Sequence, residues 1–139
     1  MRSYRTFVVS VLAGVIVLVC VGAAYAAHDE VPRITIAETK KLMDSKADIV
    51  ILDTQIKNMY DKGHIKGAIN FPWKMEISAE DARSLPKDKL IITYCDCGPG
   101  ESGSSDVAAQ LTGLGFADVK VLADPAIRGW IKEGYPTEK

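Results

Sequence analysis

Apolar residues in this chain fall into two patterns. Some form short continuous runs, as in Asp48-Ile49-Val50-Ile51-Leu52-Asp53, Leu90-Ile91-Ile92-Thr93-Tyr94 and Val119-Lys120-Val121-Leu122. Runs of that length bounded by polar residues predict strands buried on both faces, as in parallel sheets. Others recur at helical spacing, as in Val107, Ala108, Leu111 and Leu114, or Ile127, Trp130 and Ile131. These predict helices over 104–114, with Gly115 as the residue after the cap, and over 126–133. Thr35-Ile36-Ala37-Glu38 is a capping box and predicts a helix from Ala37 to about Ser45. A short helix is expected over 56–62, stopped by Gly63, and a short strand over 68–71, ended by Pro72. Ser78-Ala79-Glu80-Asp81 offers another helix start, closed by Leu85-Pro86. Residues 28–33 read as a lead-in, and Gly134-Tyr135-Pro136 as the close of the domain. Alternating strands and helices predict an α/β fold: a doubly wound, mostly parallel sheet with helices on both faces. No internal repeat or low-complexity linker interrupts it.

The first 26 residues follow a different pattern. Arg2 and Arg5 precede an unbroken apolar and small stretch from Phe7 to Val21, and Ala24-Tyr25-Ala26 supplies a cleavage site. This is the pattern of a secretory signal peptide, which leaves 27–139 as a single exported domain, in the periplasm if the cell is bacterial. The alternative is a retained inner-membrane anchor over 7–27. Membrane association is expected only in that case. Without the two leader arginines the net charge of −1 becomes −3 for 27–139. That weak acidic balance excludes a nucleic-acid-binding surface as the expected function.

Cysteine content changes the picture more. Beyond Cys20 the chain has only Cys95 and Cys97. Two cysteines two positions apart make no disulfide framework, and a bridge between them is expected to be unfavourable, so the thiols are read as reactive. Cys95 ends a strand and opens the loop Asp96-Cys97-Gly98-Pro99-Gly100-Glu101-Ser102-Gly103, after which a helix starts at Ser104. Glycines let loop N–H groups form an anion-binding nest, and the helix N-terminus adds partial positive charge. Both favour a thiolate. The expected anion-binding loop is 96–104, with Cys97 as candidate resolving thiol and Ser102, Ser104 and Ser105 as helix caps. His64 is read as structural, Asp53 as a solvated strand-end carboxylate or turn former, and Trp73 and Trp130 as core or rim packing. No metal or organic cofactor is implied.

Five segments carry a resemblance to a known family: 49–53, Gly63-His64-Ile65-Lys66-Gly67-Ala68-Ile69-Asn70, 90–95, Leu114-Gly115-Phe116-Ala117-Asp118-Val119, and Trp130 with Gly134-Tyr135-Pro136. In this order and spacing the chain resembles the rhodanese family. The resemblance implies a single rhodanese-like domain and sulfurtransferase chemistry through a persulfide on Cys95. The donor would be thiosulfate, a persulfide or polysulfide, and the acceptor a thiol or cyanide. A redox or sulfur-carrier protein is an expected partner. The loop departs from the family pattern: it is longer, it has no Arg or Lys, and Gly103 stands where a basic residue is common. Glu101 is expected to disfavour the thiolate and repel dianions. Thr54-Gln55 follows Asp53 where an arginine is common, and Ala123-Asp124-Pro125 replaces the usual Gly-Gly. Two other functions stay open: a thiol–disulfide or persulfide redox module using Cys95 and Cys97, and a non-catalytic binding domain. Phosphatase or arsenate-reductase chemistry ranks below these, because the loop offers no cationic fork.

Overall fold

Two of the apolar runs become adjacent parallel strands, β2 (Ile49–Asp53) and β5 (Leu90–Tyr94), paired Ile49 to Leu90 through Asp53 to Tyr94. They appear in a computed structural model that describes residues 31–139. The expected leader over 1–26, its alternative anchor over 7–27, and residues 28–30 lie outside the described residues. Strand β6 (Asp118–Leu122) pairs in parallel on the other side of β5. The edges are two short strands, β1 (Arg33–Ile34) and β4 (Ile69–Asn70), giving the order β1-β6-β5-β2-β4, parallel throughout. A separate antiparallel pair joins β3 (His64–Ile65) to β7 (Thr137–Glu138).

Neighbouring residues on a strand face opposite ways, so each strand supplies two cores. Leu52, Ile91, Val119 and Val121 pack with Val107, Ala108 and Leu111 of α3 (Ser102–Gly113). Ile51, Ile92 and Leu122 pack with Ile127 and Trp130 of α4 (Ala126–Lys132). Ile36, Leu42 and Met43 of α1 (Ile36–Asp44) close over this second cluster. The expected α/β sheet with helices on both faces is therefore the observed one. Each fully buried aliphatic side chain stabilises the fold by about 1.5–3 kcal/mol.

The ends of α1 and α3 follow from local chemistry. Thr35 Oγ1 accepts from the Glu38 N–H at 3.1 Å, and Glu38 accepts from the Thr35 N–H at 2.9 Å. These hydrogen bonds also lower the pKa of Glu38. At the end of α3, Gly115 has φ +87°, its N–H donates to Thr112 O, and Phe116 N–H donates to Leu111 O. That is a Schellman closure, and glycine takes the left-handed conformation without a Cβ clash. The short helix expected over 56–62 is the single turn α2 (Lys57–Tyr60).

One expected helix is absent. Residues 79–84 form successive turns, although Asp81 N–H and Ser78 Oγ do make the predicted start at 3.1 Å. Pro86 has no N–H to continue a helical ladder and disfavours helical backbone at Leu85, so the turns stop there.

Candidate functional site

Strand β5 is the middle strand of the sheet, and Cys95 follows its last residue. The sulfur is therefore placed at the carboxyl edge of the sheet, where parallel α/β folds bind ligands. Positive φ values at Gly98 (+77°), Gly100 (+89°) and Glu101 (+43°) turn the chain sharply into α3. The helix starts at Ser102, one half-turn earlier than expected. That shift places the serines inside the first turn, so none caps the helix: the N-cap is Glu101, without a side-chain capping bond. Ser104 is fully buried, donates to Glu101 O at 3.1 Å, and stands 3.5 Å from Cys95 Sγ. Ser105 instead reaches Gly100 O. The first turn of α3 thus lies against the sulfur, and its dipole favours an anion there.

Cys95 and Cys97 are joined as a disulfide, with Cα atoms 5.4 Å apart. The bridge departs from the expectation of two reactive thiols: the loop brings the two Cα atoms within the usual range of about 4.4–6.8 Å. In this form Cys95 has no thiolate, and reduction must precede nucleophilic chemistry. A Cβ placed on Gly103 would come 3.3 Å from Cys97 Sγ. The position where the resemblance suggests a basic residue is thus the one against which the second sulfur rests.

Glu101 also departs from expectation. It is buried, and its carboxylate accepts from Arg33 Nε at 3.0 Å and from the Asp124 N–H at 2.7 Å. It ties the loop to β1 and to the segment before α4, a role invisible in its sequence neighbourhood. A cation does reach the loop, from a different element: Arg128 of α4 pairs with Asp96, next to Cys95. Hydrogen bonding to Asp96 raises the pKa of Arg128 and keeps it charged.

Asp53 is fully buried, not solvated. It accepts from the Tyr94 hydroxyl at 2.7 Å and from the Gln55 N–H at 2.9 Å, so its turn-forming role holds. Burial, followed by the charge of Asp53, raises the Tyr94 pKa and holds the hydroxyl protonated. The same oxygen accepts from the Ile65 N–H at 3.0 Å. His64 is buried and structural: Nδ1 lies 3.0 Å from Tyr60 O, and the ring stacks on Tyr60. Trp130 is core and Trp73 is half-exposed rim, its Nε1 donating to Asp106 at 2.5 Å.

An open cleft of about 340 Å³ lies over the sulfurs, lined by Thr54, Gln55, Ile56, Met59, Trp73, Cys95, Asp96, Cys97 and Gly103. Its far wall comes from β2–α2 residues, and Ile56, Met59 and Trp73 expose apolar surface there. Sequence reading singled out neither Ile56 nor Met59, because only the parallel pairing of β2 with β5 sets them across from Cys95. Among the described residues no cluster of His, Cys, Asp and Glu is arranged to hold a metal.

The sequence model of the Rhodanese-like domain matches residues 35–132. The chain is 35% identical over 109 residues to the uncharacterized protein YibN of Escherichia coli K12, covering 77% of this chain and 72% of YibN. It is 26% identical over 85 residues to the thiosulfate sulfurtransferase PspE of the same organism, covering 56% and 78% of the two chains. The crystal structure of the BH2092 protein from Bacillus halodurans superposes with a TM-score of 0.69 at 30% identity, covering 84% and 85%.

Proposed function

Because this chain belongs to the rhodanese-like domain family, we propose that it is a sulfurtransferase carrying sulfane sulfur as a persulfide on Cys95. The observation that carries this reading is the seat of Cys95 Sγ: at the end of the central strand, beside Ser104 Oγ, on the floor of an open cleft. A dithiol first reduces the Cys95–Cys97 bridge. The Cys95 thiolate then attacks the sulfane sulfur of a donor. With thiosulfate, the S–S bond breaks and sulfite leaves with the bonding pair. The new Cys95–S–S⁻ stays beside the first turn of α3, whose dipole favours the anion. An acceptor thiolate or cyanide attacks the outer sulfur, and Cys95 returns as thiolate.

Backbone groups of the loop 96–104 would hold the anionic sulfur, with Ser104 Oγ able to donate to it only by turning its proton away from Glu101 O. Arg128, already at the loop, would draw anionic donors to the mouth. In the proposed setting the leader over 1–26 exports the protein, and a redox or sulfur-carrier protein delivers or accepts sulfur.

The test is sulfur loading. The full chain is reduced, freed of reductant, and incubated with thiosulfate, glutathione persulfide or polysulfide. In the Cys97→Ser chain, which cannot re-form the bridge, peptide mass spectrometry should find one added sulfur atom on Cys95, absent from Cys95→Ser. If no donor adds sulfur to Cys95, the reading fails. The disulfide favours a second reading, a dithiol–disulfide redox module. That reading predicts reversible bridging under oxidants with no sulfur gain from any donor.

A further inference from the structure

We propose that Cys97 resolves the persulfide, so that the protein releases sulfur as hydrosulfide and ends the half-cycle as the Cys95–Cys97 disulfide. This rests on the sulfurtransferase reading and specifies how the carried sulfur leaves. Three observations support it. The two sulfurs are bonded in the structure, so Cys97 Sγ reaches the inner sulfur of any persulfide on Cys95 without a change in loop path. Gly103 lets Cys97 Sγ rest against the first turn of α3, since a Cβ there would already stand 3.3 Å from that sulfur. The same helix turn that stabilises a Cys95 anion therefore stabilises a Cys97 thiolate. Finally, Glu101 anchors the loop at both ends of its carboxylate, to Arg33 and to the Asp124 N–H, and so keeps the pair in register.

The step balances. The Cys97 thiolate attacks Cys95 Sγ, an S–S bond forms between the cysteines, and the bond to the outer sulfur breaks. That sulfur leaves with the electron pair and takes up one proton as HS⁻. The outer sulfur is reduced by two electrons and the two cysteine sulfurs are oxidised by two. A dithiol then reduces the bridge and is itself oxidised to a disulfide, which resets the site. Because the attack is intramolecular, it outcompetes external thiols at ordinary concentrations. The net reaction converts sulfane sulfur and a dithiol into hydrosulfide and a disulfide.

The experiment compares reduced full-length wild type, Cys97→Ser and Cys95→Ser, each mixed after removal of reductant with glutathione persulfide, whose loading step releases the glutathione thiolate and no hydrosulfide. Released hydrosulfide is measured and peptides are mapped by mass. Wild type should release hydrosulfide and show the 95–97 peptide short of two hydrogen atoms. Cys97→Ser should stop with one added sulfur on Cys95 and lose the release. If wild type instead holds the added sulfur stably and releases no more hydrosulfide than Cys97→Ser, the resolving role is overturned while the sulfurtransferase reading stands. If Cys97→Ser and wild type both take up no sulfur and release none, both readings fall together. Wild-type release is a measurement that no variant's folding can confound.

Discussion

Glu101 holds an acid in a place where local reasoning would not put one. It is buried in a left-handed backbone conformation, yet both oxygens have partners, Arg33 and the Asp124 N–H. Replacing it with alanine removes both tethers of the loop, each hydrogen bond contributing about 0.5–1.5 kcal/mol and more where a charge takes part. Glu101→Ala should therefore lower the urea midpoint and make the 96–101 loop more susceptible to proteolysis. Glu101→Gln keeps a carbonyl oxygen for the Asp124 N–H and should lose less. Equal losses in the two variants would show that the carboxylate charge toward Arg33, not the acceptor count, carries the anchoring. Asp53 and Tyr94 illustrate the same physics: the pair spans 41 residues of sequence, and burial of both makes each the other's partner.

At Gly129 the backbone of α4 packs closely against α1 and Pro125. A Cβ on Gly129 would approach Ile36 Cδ1 to 2.4 Å and Pro125 Cγ to 2.6 Å. The Ile36 methyl can swing aside, but the proline ring cannot. Gly129→Ala should thus destabilise the protein by about 1–3 kcal/mol, the usual cost of overpacking, seen as a lower urea midpoint at unchanged slope. The turns over 79–84 depend on a different force. Asp81 accepts from Lys74, from the Ser78 N–H and from Ser78 Oγ, and these bonds lower its pKa from 3.8 to about 2, the Lys74 bond most. A lowered folded pKa contributes stability above the unfolded value and loses it as pH falls toward the folded one. The stability gap between wild type and Asp81→Asn should therefore be full above pH 3.8 and close as pH falls through about 2. A gap that is constant across that window would mean that the hydrogen bonds, not the charge, hold the turns.

Across the fold, Trp130 links the helices to the chain's last strand. It is fully buried, its Nε1 donates to Pro136 O at 2.9 Å, and Tyr135 packs edge-on against it. Trp130→Ala should cost about 3–5 kcal/mol, typical of an emptied aromatic site. Thermal unfolding should show it, and loosening of the β3–β7 pair should follow, visible as faster exchange of the Lys66 amide, which donates to Pro136 O at 3.1 Å. An unchanged melting temperature would mean that the second core does not depend on this ring.

The main elements were legible because their causes are local. Continuous apolar runs marked β2, β5 and β6, the Thr35–Glu38 box marked α1, and Gly115 marked the end of α3. Cys95 at a strand end before a glycine-rich loop was likewise legible, since strand, turn and helix signals are contiguous there. The two-residue strands β1, β3 and β7 were not, because so short a strand exists only through the partner that pairs with it. Nor was the arrest of the helix at Ser78, where a sound start runs into Pro86. Chain folding across long separations set the rest: Arg128 brought to Asp96, Glu101 turned to Arg33, and Ile56 and Met59 facing the cysteines. Periodicity and capping act over a few residues, whereas these charge pairs and burial act through space, so no local pattern could encode them.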